Sequence, residues 1–311
     1  MSHRPARSTR RRTAVVSSVC LTAALLGVAP SAWATTAPSD AVVPAASETA
    51  FTVSAADASH AVDYWTPERR AAAIDVDSGR PMSELDASAA ATPISRAEQV
   101  APVPHIGRIF YTQGGSGYAC SANAVVSANR STIATAGHCL TYHQEFSTNT
   151  VFYPGYESGE SSYGAWPVVG GAVPSRWATG NDRVDDSGFL AVSTDSAGED
   201  LESVVGASPV LFDQSTTEEA SVYGYPAAGR FDGEHLDRCR GMSGPFVETM
   251  ISIACDMNEG VSGGPIFAGD DADGAQIADE SNRFQDYTHV IGPIWRQEQH
   301  DTYDLVSTTT Y

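Results

Sequence analysis

An all-β fold, a sandwich or barrel of short strands, is what the sequence predicts from Val103 onward. Apolar runs there are brief and are broken by Gly, Ser, Asn and Pro, as in His105-Ile106-Gly107-Arg108-Ile109-Phe110-Tyr111 and Ala124-Val125-Val126-Ser127. Asn129-Arg130 reads as the turn between two such runs, and the spacing is too tight for the strand and helix alternation of an α/β sheet. The first hundred of the 311 residues do not read as packed core, so the folded part is nearer 200 residues.

In chain order, Arg4, Arg7, Arg10, Arg11 and Arg12 precede an apolar run from Ala14 to Val28, followed by Ala32-Trp33-Ala34. A basic start, a short apolar run and an Ala-x-Ala site predict an export signal over 1–34. The run is interrupted by Ser17, Ser18 and Thr22 and is too short for a membrane anchor. Residues 35–102 are rich in Ala, Ser, Thr and Pro and read as a largely irregular pro-segment. One island, Tyr64-Trp65-Thr66-Pro67-Glu68-Arg69-Arg70, carries a helix start, with Thr66 as N-cap and proline in the first turn.

Of five cysteines, Cys20 leaves with the signal, and Cys120, Cys139, Cys239 and Cys255 remain. An even set in an exported chain implies disulfides, with three connectivities open. A zinc site from His138, Cys139 and His143 fits no standard spacing, and oxidised cysteines cannot ligate, so neither metal nor cofactor is expected. From residue 101 on there are 28 acidic side chains against nine arginines and no lysine, a difference of −19. That charge disfavours nucleic acid as a partner.

Three stretches carry chemistry. Gly260-Val261-Ser262-Gly263-Gly264-Pro265 holds a serine in a glycine-rich turn. There the hydroxyl can project while the N–H groups of Gly260 and Ser262 converge as an oxyanion hole. Thr135-Ala136-Gly137-His138-Cys139 puts His138 at the end of an apolar run, where a general base can be pinned yet face a cleft. Asp186, entering the run Ser187-Gly188-Phe189-Leu190-Ala191-Val192, would be partly buried, which calls for a partner such as His138; Asp185 and Asp182 compete for that role.

The order His, Asp, Ser, the Thr-Ala-Gly-His-Cys box and the Gly-x-Ser-Gly-Gly-Pro loop together resemble the chymotrypsin/trypsin-like serine peptidases. The likeness is to the secreted bacterial branch that includes the glutamyl-endopeptidase-like enzymes, and it covers about residues 103–305. It implies two antiparallel β-barrels, at 103–203 with His138 and Asp186 and at 204–311 with Ser262, with the active site in the cleft between them. It further implies the pairs Cys120–Cys139 and Cys239–Cys255, and a monomeric, secreted serine endopeptidase made as a zymogen and acting on polypeptides. Transient contact with the pro-segment is expected, and no membrane contact once the signal is removed. A non-catalytic binding protein or an esterase-like hydrolase on the same scaffold is the alternative.

The sequence departs from that pattern in two places. Val261 stands where many relatives have the aspartate that pairs with a new N-terminal amine. In the segment Tyr287-Thr288-His289-Val290-Ile291-Gly292-Pro293-Ile294-Trp295-Arg296, Ile294 aligns with the histidine by which glutamyl-specific relatives bind their substrate, so glutamate preference is unsupported. Gly241-Met242-Ser243-Gly244-Pro245 imitates a nucleophile turn but lacks the second glycine and reads as a loop. The acidic run Asp270-Asp271-Ala272-Asp273-Gly274 could offer carboxylates to calcium and reads more simply as a solvated loop.

Overall fold

The computed structural model describes residues 48–76, 96–142, 144–247, 249–284 and 286–311, so the export signal predicted over 1–34 and His143 lie outside the described residues. No helix among the described residues is long and apolar enough to cross a membrane. The chain opens with β1 (Glu48–Thr52), α1 (Ala55–Tyr64), α2 (Pro67–Ala71), β2 (Ile74–Asp75) and β3 (Glu98–Gln99).

Within the described residues 48–76, this regular structure departs from the largely irregular chain expected there from composition. Ser54 caps α1 by accepting the Asp57 N–H, and Thr66 caps α2 by accepting that of Arg69, with Pro67 at the first helical position. The segment has too few apolar residues for a core of its own and borrows one. Trp65 is buried, packs on Phe110 at 5.5 Å and donates its indole N–H to the Asn149 carbonyl at 2.6 Å; Phe51 lies 4.3 Å from Phe146. Composition reads a segment in isolation and is blind to an apolar surface lent by a neighbour.

The next strands are β4 (Ile106–Gln113), β5 (Ser116–Val125) and β6 (Thr132–Thr135), then the helical turn α3 (Gly137–Leu140) and the hairpin β7 (Thr141–Tyr142) and β8 (Glu145–Phe146). After them come β9 (Thr148–Pro154), the small hairpin β10 (Tyr156–Glu157) and β11 (Glu160–Ser161), β12 (Trp166–Pro174), α4 (Ser175–Gly180) and β13 (Gly188–Val192). Antiparallel pairing runs β12-β13-β6-β5-β4-β9 and returns to β12, which closes a six-stranded barrel. Its core holds Ile109, Ile133, Phe152, Trp166 and Leu190. β1 adds an antiparallel strand on β12, and β2 adds a short parallel one on β5.

The second half runs through α5 (Leu201–Val205), β14 (Glu219–Gly224), β15 (Asp237–Met242), β16 (Gly244–Pro245), β17 (Met250–Ala254), β18 (Pro265–Ala268), β19 (Gln276–Asp279), β20 (Asn282–Arg283), β21 (His289–Pro293) and α6 (Gln297–Thr308). One sheet is ordered β19-β18-β14-β15-β3 and the other β16-β17-β21-β20. Their inner faces share Val222, Ile251, Ile253, Ile266 and Val290, and an Ala278–Ile294 bridge links them. The architecture is the trypsin-like two-barrel fold. An aromatic seam of Phe110, Tyr156, Tyr223, Tyr225 and Phe267 joins the halves, and Trp65 enters it.

Both disulfides are formed as the resemblance implied, Cys120–Cys139 and Cys239–Cys255. Each closes a loop short enough to stabilise by about 3 kcal/mol through the unfolded chain's entropy. The first ties β5 to the turn that carries His138, and the second ties β15 to the approach to Ser262.

Candidate active site

β6 delivers its chain end into α3, so His138 projects from a tight turn held by the neighbouring disulfide. Gly137 is required there, because a β-carbon would meet the Trp177 indole at 2.6 Å. Two residues before the adjacent strand β13, Asp186 is almost fully buried. Its carboxylate accepts the His138 backbone N–H at 2.7 Å and meets His138 Nδ1 at 2.8 Å, so one side chain fixes both the turn and the ring.

The neighbouring aspartates do other things. Asp182 caps a short helical turn by accepting the Val184 N–H. Asp185 pairs with Arg176 and Gln299, and burial pushes its carboxyl up to about 6.

The Ser262 turn lies against β5 of the first barrel. Gly260 has φ +94° and Gly263 φ +79°, and a β-carbon on either would strike backbone, at Tyr225 and at Ser121 respectively. Ser121 of β5 secures the turn: its N–H donates to the Ser262 carbonyl at 2.8 Å and its hydroxyl to the Gly260 carbonyl at 2.9 Å. Behind the turn, the Gly263 N–H donates to the Glu280 carbonyl at 2.7 Å, and the Glu280 N–H to that of Gly264 at 2.8 Å. Val261, where relatives carry an aspartate, is buried in the apolar core of the second half, so that position serves packing here.

Of the two backbone donors expected at the oxyanion hole, the Gly260 N–H bonds to the Val76 carbonyl oxygen at 3.1 Å; Ser262 directs its hydroxyl to the same oxygen at 3.4 Å. His138 Nε2 is buried and has no hydrogen-bond partner among the described residues.

Four residues that the sequence did not single out for the site, Ser281, Ser187, Trp295 and Asp279, form hydrogen bonds at or beside Asp186. Ser281 donates its hydroxyl to Asp186 at 2.6 Å, giving that carboxylate its third donor. Ser187, next in the chain to Asp186, and the Trp295 indole both donate to buried Asp279. Alternation along a strand-like segment was the available signal, since Asp279 and Ser281 point the same way.

The segment after Ser262 that reaches Asp186 is thus the end of β19 with Ser281. β21 pairs with β17, and Ile294 is fully buried in the core, which corrects the expectation that 287–296 faces substrate. Ser243 is buried, with its hydroxyl hydrogen-bonded to the Thr216 and Glu218 carbonyls. Cys120, His138 and Cys139 cluster within metal-ligand range, but the two sulfurs are joined to each other and hold no lone thiolate for a metal. In the acidic turn, Asp271 accepts the Asp273 N–H.

Burial holds the Asp279 carboxyl well above the usual carboxylate range, and nearby Asp186 adds to the effect; the Ser187 and Trp295 donors oppose it. A carboxyl with a raised folded-state pKa contributes stability that is full below its unfolded value, near 4, and declines as pH rises. Asp279→Asn, which cannot ionise, is therefore expected to gain on the wild type as pH rises from about 4.5 to 8. Every tenfold weakening of the acid on folding is worth about 1.4 kcal/mol. Thermal unfolding of both proteins across that range tests this, and a gap that does not change with pH would mean that Asp279 titrates as an ordinary aspartate.

No protein-family model and no curated protein matches this sequence. Solved structures do. The protease Anisep from Arthrobacter nicotinovorans is 36% identical with a TM-score of 0.66, and the match covers 68% of this chain and 100% of that one. The thermostable serine protease AL20 from an extremophilic microorganism is 37% identical with a TM-score of 0.64, covering 67% and 99%. A Glu endopeptidase, in complex with MPD, shares the fold at 17% identity and a TM-score of 0.57, covering 68% and 97%.

Proposed function

The chain belongs to the trypsin-like serine proteases, in their glutamyl-endopeptidase-like branch, and we propose that this serine endopeptidase cleaves polypeptides with Ser262, His138 and Asp186 as its catalytic triad. The observation that carries the reading is the pair of hydrogen bonds from His138 N–H and Nδ1 to the single Asp186 carboxylate. With Nδ1 protonated toward Asp186, Nε2 carries the lone pair that a general base needs. Ser262 attacks the scissile carbonyl as His138 takes the hydroxyl proton, and an acyl-enzyme forms as His138 returns that proton to the leaving amine. Water then attacks the ester by the same route in reverse. The Gly260 and Ser262 N–H groups hold the oxyanion, where one donor is worth about a hundredfold or more in rate.

The chain is exported through its 1–34 signal and works outside the cell as a monomer, after loss of the segment before the first barrel. Two disulfides suit an oxidising compartment. Labelling of the processed protein with a fluorophosphonate, followed by mass mapping, is expected to place the adduct on Ser262 alone. An adduct on Ser243, or none on folded, processed protein, would overturn the assignment.

A further inference from the structure

We propose that Ile74–Val76 is an internal inhibitor, a strap that occupies the oxyanion hole and keeps the nucleophile's proton away from its base. The proposal rests on the triad assignment above. The Val76 carbonyl oxygen takes the Gly260 N–H at 3.1 Å and the Ser262 hydroxyl at 3.4 Å, so both groups meant for a reacting carbonyl are engaged by a resident one. A hydroxyl that donates to Val76 does not donate to His138 Nε2, and that nitrogen is buried without a partner among the described residues. In this state the acid and base of the site are present but not connected.

The strap is anchored on both sides of the contact point. The Val76 N–H donates to the Ala119 carbonyl at 3.1 Å, and Ile74 and Asp75 run parallel to Tyr118 and Ala119 of β5. Asp75 forms an ion pair with Arg108, whose guanidinium is almost wholly buried in β4, also donates to the Gly233 carbonyl at 2.8 Å and has Glu234 at 3.9 Å. Upstream, Arg70 bonds the Trp65 carbonyl at 2.7 Å and the Gly159 carbonyl at 2.9 Å, while β1 is zipped to β12 over five residues. These contacts raise the local concentration of the strap at the cleft far above that of any free peptide.

The test compares fluorophosphonate labelling rates of Ser262 in the full-length precursor and in processed enzyme freed of residues 48–76, for the wild type and for precursors carrying Asp75→Ala or Val76→Pro. The first substitution removes the partner of a buried arginine and the second removes the N–H that bonds Ala119. Wild-type precursor should label at least about 100-fold more slowly than processed enzyme, the scale of losing oxyanion stabilisation. Either variant should label at least about tenfold faster than the wild-type precursor, with circular dichroism unchanged. All three processed proteins are the same chain and should label alike.

A precursor that labels as fast as processed enzyme would overturn the strap, as would rapid hydrolysis at Val76–Asp77, which would make it a substrate. Equal slow labelling of all three folded precursors would likewise remove Ile74–Val76 as the cause. Failure of the processed enzyme to label would instead reject the triad, so the two readings fail separately.

Discussion

Alanine at Ser262 is expected to lower peptidase turnover by about five to six powers of ten, to the level left by binding and the oxyanion hole alone. It should do so with little change in stability. The turn is held by backbone and by Ser121, through the Ser262 and Gly260 carbonyls, and among the described residues the Ser262 hydroxyl hydrogen-bonds only to the Val76 oxygen, at 3.4 Å. A hydroxyl with one long bond contributes at most about 1 kcal/mol, so the melting temperature should move by a few degrees at most. Ser243→Ala is the matched control. That hydroxyl ties the loop to Thr216 and Glu218, and its loss should cost some stability and no turnover. Steady-state hydrolysis of a denatured protein substrate, with thermal melts of all three proteins, checks the pair. Residual turnover above about a hundredth of wild type in Ser262→Ala would mean that another group attacks.

The members of the site stand out in the sequence because each needs an unusual local composition. Ser262 needs glycines on both sides, since Gly260 and Gly263 sit at positive φ against backbone, and such a turn advertises itself. His138 is marked by the cysteine beside it, and Asp186 by being an acid at the mouth of an apolar strand. The all-β class follows from the same punctuation of short apolar runs.

What the sequence hides are residues whose roles depend on pairs far apart in the chain. Ser121 in β5 and Ser281 between β19 and β20 are ordinary serines until the fold brings them to Ser262 and Asp186, which lie 141 and 95 residues away in the chain. The segment 48–76 reads as irregular because its stability comes from a surface it does not carry. The misplacement of the substrate-facing strand has a similar origin: 287–296 has the stronger apolar pattern, and strength of pattern reports burial in the core, which is where Ile294 lies.

Asparagine at Asp186 should reduce kcat on the order of 10⁴-fold, about 5 kcal/mol of barrier, with a much smaller change in KM. The reasoning is about proton location. As a carboxylate, Asp186 only accepts, and it takes the His138 backbone N–H at 2.7 Å, His138 Nδ1 at 2.8 Å and the Ser281 hydroxyl at 2.6 Å. An amide in the same place keeps one accepting atom and replaces the other with a donor. If its oxygen stays on the His138 backbone N–H, its NH₂ faces Nδ1, which must then give up its proton and accept. The ring proton moves to Nε2, and a protonated Nε2 cannot take the proton of Ser262.

Ser281→Ala separates support from proton placement, because it deletes one charge-assisted bond while leaving Nδ1–H directed at a carboxylate. Its expected cost is about tenfold, with the pH at half-maximal kcat/KM moving by less than about one pH unit in either direction. The tautomer argument requires that Asp186→Asn fall at least about a hundredfold below Ser281→Ala. Comparable losses in the two would mean that Asp186 acts by orienting the turn through the His138 backbone N–H, and that the ring's proton is set by something else.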